Sequence, residues 1–145
     1  MGRFGLVNID IDQIMHESLL TAEPHQTVRQ VRQYMAKHDV SALPVVDTEG
    51  APVGMVTASD LLADHPDGSP VKSIMSEPVF TVPRYDGPHI AARIMRNHHL
   101  HHVVVTEGKK AVGMVSAYDL LRLVEDHRFT AKPAPTPKKN SRQRS

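Results

Sequence analysis

A hydroxyl followed three residues later by a carboxylate occurs twice in this chain, as Thr57 with Asp60 and as Ser116 with Asp119. Each pair lies inside nearly the same phrase, GMVTASDLL at 54–62 and GMVSAYDLL at 113–121. At a helix start this spacing makes a cap, in which hydroxyl and acid satisfy exposed amides and the acid sits in the positive first turn. The acid is Asp in both copies, where such a box favours the longer Glu or Gln. A short carboxylate is expected to reach back poorly, and can instead accept two hydrogen bonds from a neighbouring diol such as that of ribose. On these residues alone, capping and diol binding both stay open.

The second cluster with chemical potential is NHHLHHVVV, which holds His98, His99, His101 and His102. Imidazole suits zinc, copper or nickel. The segment, however, crosses from a helix end to a strand start, where His101 and His102 face opposite sides, and no carboxylate or cysteine adjoins it. No metal site is therefore expected. His98 and His99 are read as meeting a helix carboxyl end, where cations are favoured, and His101 or His102 as facing a cleft. No nucleophile–base pair is evident, so no catalytic residue is assigned and the chain reads as non-enzymatic.

Composition narrows the setting. Cysteine is absent, which excludes thiol chemistry, disulfides and cysteine-ligated zinc. No run of about 18 apolar residues exists to span a membrane. The start, MGRFGLVNID, is too short in apolar residues for a secretory signal and lacks the Ser or Thr that myristoylation wants. A cytoplasmic protein is the expectation. The net charge of +1 conceals a basic end: residues 128–145 carry Arg128, Lys132, Lys138, Lys139, Arg142 and Arg144 and no acid, leaving the body mildly acidic. With three prolines and few apolar residues, this tail is expected to be disordered. We read it as a solvated end, with nucleic-acid or partner docking as the alternative.

The elements that position the hydroxyl–acid pairs come from a duplication. Ile14-Met15 falls on Ile74-Met75 and Gly54 falls on Gly113, with a one-residue deletion in a turn between. Two copies of this length make a duplicated small domain, not a solenoid. SLLTA and PVFTV read as short strands. TVRQVRQYMAKH places Val28, Val31, Tyr34 and Met35 at helical spacing after a Thr27 cap. GPHIAARIMRNHH does the same with Ile90, Ala91, Ile94 and Met95 behind Pro88. Two β-branched runs joined by a turn then form a hairpin in each copy, and a short helix closes it. The expected fold is α+β, two pseudo-symmetric β-α-β-β-α repeats packed sheet to sheet, over residues 8–66 and 71–127 with the tail at 128–145. Each half is marginal alone and is expected to need the other.

This order of elements, the LPVVD strand and the Gly-x-x-Thr/Ser-x-x-Asp ending resemble paired cystathionine-β-synthase (CBS) domains, the two-repeat unit often called a Bateman module. The likeness covers about residues 10–127, with both motif copies in register. It implies a non-catalytic, stand-alone regulatory module that binds adenine nucleotides (AMP first, then ADP or ATP) between the repeats and regulates another protein. It implies no cofactor beyond that ligand. Carried over by position, one cleft combines Ser116 and Asp119 with Thr21, Val40, Ser41 and Pro44. The other combines Thr57 and Asp60 with Thr81, Leu100, His101 and His102. Tyr118 either lies along a base or ribose face or covers the helix end. Many relatives place Arg or Lys near the phosphates; here Ser41 and Ala42, or His101 and His102, hold those positions, and Val104 stands where the first copy has Pro44. His101 and His102 are thus the expected cationic contacts to phosphate at the second cleft, strengthening as pH falls. The last helix, YDLLRLVED, has too broad an apolar stripe for one buried face, which implies a homodimer.

Overall fold

The computed structural model describes residues 9–17 and 19–127; the tail at 128–145 lies outside them. The first repeat contains α1 (Val28–His38), β1 (Ala42–Val46), β2 (Pro52–Thr57) and α2 (Ala58–Leu62). The second contains β3 (Thr81–Pro83), α3 (Pro88–His98), β4 (His102–Glu107), β5 (Lys110–Ser116) and α4 (Ala117–His127). A single turn of 3-10 helix opens each repeat, at Ile11–Gln13 and Val71–Ser73. The result is a mixed α+β pair of repeats with two small sheets.

The helices form where the spacing places them. Thr27 caps α1, its hydroxyl accepting from the Gln30 N–H at 3.1 Å while the Gln30 side chain accepts from the Thr27 N–H at 2.9 Å. Pro88 sits in the first turn of α3, where its missing N–H costs nothing. Val28, Val31 and Met35 of α1, and Ala91 and Met95 of α3, are buried. Both helices end on a residue in the left-handed region, Asp39 (φ 53°) and His99 (φ 56°), so the duplication persists into the turn that delivers each hairpin.

The hairpins are antiparallel, β1 with β2 and β4 with β5, but the first strands differ. The second repeat has β3, pairing parallel with β4. In the first repeat, residues 19–22 of SLLTA make only an isolated bridge, Ala22 to Val45, and no strand is formed there among the described residues. Two prolines account for this: Pro24 stands where the Arg84 N–H donates to the Thr106 carbonyl at 2.9 Å, and Pro44 stands where the second repeat has Val104. The Val104 N–H donates to the Phe80 carbonyl at 3.2 Å, whereas Pro44, in the matching place, has no N–H to offer Leu20. The ladder stops after Ala22 N–H to Pro44 O and Val46 N–H to Ala22 O, both 2.9 Å. The helix expected over ASDLLADH is likewise short and ends at Leu62.

The spatial halves differ from the sequence halves. Ile11 and Met15, from the opening stretch of the first repeat, are buried in the second repeat's core with Val82, Met95, Val103, Val105 and Val115. Val71, at the opening of the second repeat, lies in the first repeat's core with Val31, Leu43, Val45 and Val56, and Ile74 and Met75 pack against it. Backbone bonds follow the same exchange. His16 pairs with Met114 on β5, and Ser76 with Met55 on β2. Arg84 secures one crossing by donating to Asp12 and to Glu107 at 2.7 Å each, and these carboxylates hold its pKa above the usual arginine value. Each repeat thus borrows apolar side chains that its own stretch of chain lacks, which is how two small halves build adequate cores.

This exchange explains the glycine of the repeated phrase. A Cβ on Gly54 would lie 2.5 Å from the Met75 sulfur, and one on Gly113 would lie 2.6 Å from the Met15 sulfur. The invading methionines lie where those side chains would be.

Candidate functional site

Strand β5 ends at Ser116 and α4 opens at Ala117, so the strand-to-helix junction fixes both members of the pair. The Asp119 N–H donates to Ser116 Oγ at 3.1 Å, and the Ser116 N–H donates to Asp119 Oδ2 at 2.8 Å. The first repeat repeats this: Asp60 N–H to Thr57 Oγ1 at 3.3 Å, Thr57 N–H to Asp60 Oδ2 at 2.8 Å. The expectation that aspartate reaches back poorly is therefore corrected. The extended N-cap backbone, φ −116° and ψ 163° at Thr57, directs the N–H at the short carboxylate. One oxygen of each acid holds the cap and the other remains for a partner, so capping and diol binding are compatible. In Asp119, which is only 4% exposed, that second oxygen lies 3.2 Å from His16 Nε2.

A cavity of about 270 Å³ lies between the repeats, near the lower end of small-molecule sites, which run roughly 300–1,000 Å³. From the first repeat it takes Val40 and Ser41, and from the second His102 and Ser116; Leu19, Leu20, Asp39, Ala42 and Met114 complete it with His16. His16 also lines an adjoining cavity of about 340 Å³, which holds Asp119, Arg122 and Asp126. Of the residues assigned to the first cleft, Val40, Ser41 and Ser116 come together here. Thr21 is half-buried and Pro44 buried, and neither lines the cavity.

Two placements correct the sequence assignment. His102 lines the cavity of Ser116 instead of standing only with Thr57 and Asp60, because the β4–β5 register pairs His102 directly with Ser116 and paired residues share a sheet face. His102 is also disfavoured as a cation where it stands. Burial pushes its pKa below the ordinary histidine value and neighbouring His101 adds to this, against a smaller opposing pull from Asp119. Thr57, Asp60 and Leu100 are partly buried, and Thr81, His101 and Tyr118 are exposed. None of these six lines either cavity. His98 stacks on Phe80, ring centroids 4.1 Å apart. Among the described residues no group of three His, Cys, Asp or Glu side chains gathers to hold a metal ion, and no helix is long and apolar enough to cross a membrane.

Sequence reasoning missed His16, whose acidic partner is 103 positions away. Its one visible signal was adjacency to Ile14-Met15, the start of the duplicated stretch.

A family model for the CBS domain matches residues 11–64 and again 71–126. The chain belongs to the CBS-domain family. Among solved structures, it is similar to the CBS domain pair of protein MJ0100 in complex with 5′-methylthioadenosine and S-adenosyl-L-methionine. That likeness has a TM-score of 0.74 and 24% identity, over 81% of this chain and 97% of that one. It is also similar to CBSX2 in complex with AMP, with a TM-score of 0.74 and 20% identity over 83% and 98%. At these identities the likeness is one of fold. An uncharacterized protein of Methanocaldococcus jannaschii is 30% identical over 134 residues, covering 80% of this chain and 32% of that protein. The chain thus spans about a third of that relative's length.

Proposed function

We propose that this CBS pair is a cytoplasmic, non-catalytic regulatory module that senses an adenine nucleotide in the cleft between its repeats. The observation that carries the reading is the inter-repeat cavity, which brings Val40 and Ser41 of one repeat to Ser116 of the other, with the buried Asp119 carboxylate hydrogen-bonded behind it. The apolar part of this lining suits a base, and the hydroxyl and acid suit a ribose diol. Support comes from the two CBS pairs of the same fold that were solved with AMP and with adenosine-containing thioether and sulfonium ligands. AMP is the first choice among the nucleotides. The cavity lining includes Asp39 and no Lys or Arg among the described residues, so each phosphate beyond the first adds charge that this lining does not meet with a cation. The same argument keeps S-adenosylmethionine as the comparison ligand.

The module is also proposed to dimerise and to regulate another protein through that state. Tyr118, Leu121 and Val124 are 68%, 65% and 44% exposed and recur every third residue along α4, an apolar stripe beside the Ala117 and Leu120 that pack on the core. Calorimetric titration with AMP, ADP, ATP and S-adenosylmethionine tests the reading. AMP binding with ADP and ATP weaker supports it; a folded protein that binds none of the four refutes it.

A further inference from the structure

The cleft at Ser116 and Asp119 differs from its pseudo-symmetric counterpart in one respect that concerns ligand access. His16 and Ser76 occupy equivalent places: each follows the invading methionine, and each pairs its backbone with the neighbouring hairpin strand, at Met114 and Met55. His16 carries a side chain long enough to reach the acid of the hydroxyl–acid pair, and its Nε2 lies 3.2 Å from Asp119 Oδ1. Among the described residues, Ser76 makes no side-chain hydrogen bond to Asp60, whose carboxylate accepts from the Thr57 N–H.

The two ends of the His16–Asp119 contact are unlike. The Asp119 side chain is 4% exposed and the His16 side chain 70% exposed. A carboxylate only accepts, so His16 donates from Nε2. A buried carboxylate with one amide for company is under-satisfied, and a second donor stabilises it. The imidazole supplies that donor from the solvent side, and swinging it outward exposes little new surface. It stands at the boundary of the two cavities and lines both, so a ribose that reaches Oδ1 has to pass it.

We infer that His16 is an intramolecular occupant of the ribose position, a plug that an adenosine ligand must displace from Asp119, and that this plug exists at one of the two clefts only. This rests on the proposed reading of Asp119 as the ribose acceptor. The consequence is a cleft that keeps its buried acid satisfied when empty and binds ligand more weakly than its geometry alone would allow. The backbone of the lead-in stays in place throughout, because Ile11 and Met15 are anchored in the second core.

The test is a double-mutant cycle with His16→Ser, Asp119→Asn and the two combined, titrated by calorimetry with adenosine and with 2′,3′-dideoxyadenosine. Serine is the residue the other repeat uses at this place with the same backbone pairing, so the first variant keeps the fold; thermal unfolding checks each protein. His16→Ser is expected to tighten adenosine by about threefold to tenfold, the worth of one ordinary hydrogen bond, and to leave the dideoxy compound unchanged. In the Asp119→Asn background the gain disappears. Weaker or unchanged adenosine binding in His16→Ser, with Asp119→Asn still weakening it, overturns the plug and leaves the ribose reading standing. A gain that persists in the double variant also overturns it, since only space would have been freed. If Asp119→Asn alone changes nothing, the ribose reading fails and the plug with it. Absence of binding in all four proteins overturns both.

Discussion

Adding one methyl group at Gly113 and at Gly54 separates two kinds of close contact that look identical in sequence. At Gly54 the three atoms nearest the new Cβ all belong to the Met75 side chain, at 2.5, 2.8 and 3.1 Å. At Gly113 the Met15 sulfur at 2.6 Å is joined by the backbone carbonyl of His16 at 2.8 Å. A thioether can swing aside, at an overpacking cost of about 1–3 kcal/mol. A carbonyl in a pairing cannot move without losing it: His16 N–H to Met114 O at 2.9 Å, and Met114 N–H to His16 O at 3.4 Å. Two such bonds are worth about 1–3 kcal/mol together. Alanine returns roughly 0.4–1 kcal/mol through the unfolded chain. Gly54→Ala should therefore cost about 1 kcal/mol and Gly113→Ala about 3 kcal/mol, the latter a fall in Tm of about 10 °C. Urea unfolding of both variants measures the difference. Equal costs, or a larger cost at Gly54, would refute the claim that a paired backbone carbonyl crowds Gly113 whereas the atoms nearest Gly54 belong to a side chain. Met15→Ala added to Gly113→Ala should recover only part of the loss, since the carbonyl clash remains.

Other outcomes follow from the same geometry. Asp119→Ala should weaken AMP binding by about 1.5–3 kcal/mol, the worth of a hydrogen bond to a charged group, and unchanged calorimetric affinity in a folded variant would remove this acid from the ligand's contacts. His102 has a folded pKa below the unfolded value of about 6.5. The unfolded chain therefore takes up the proton first, and the stability His102 contributes is present above about pH 6.5 and lost as pH falls through the lowered folded value. His102→Asn should accordingly flatten the drop in Tm between pH 7.5 and 5.5, and an equally steep drop would contradict the burial argument. Pro44→Val should supply the missing donor to Leu20 and extend the first sheet, seen as a protected amide at position 44 and a gain of about 0.5–1.5 kcal/mol; an unprotected amide would show that something other than the proline ends the ladder. Leu121→Asp should convert the proposed dimer to monomer in sedimentation, and an unchanged mass would move the interface elsewhere.

Much of this was legible in the chain. The duplication, the two amphipathic helices with Thr27 and Pro88 at their starts, the hairpins and the hydroxyl–acid pairs at strand-to-helix junctions all follow from local spacing, because capping, periodicity and turn chemistry act over a few residues. Even the loss of the first strand was written in the contrast between Pro44 and Val104, although its consequence needed the ladder register to be seen.

Tertiary structure alone decided which half each lead-in completes. Ile14-Met15 and Ile74-Met75 are recognisable as equivalents in sequence, but burial is non-directional, and an apolar pair carries no mark of whether its own repeat or the other will cover it. The same exchange brings His16 to Asp119 and sets His102 on the face of Ser116. Those contacts depend on distances between residues far apart in the chain, and no local rule reaches across such a separation.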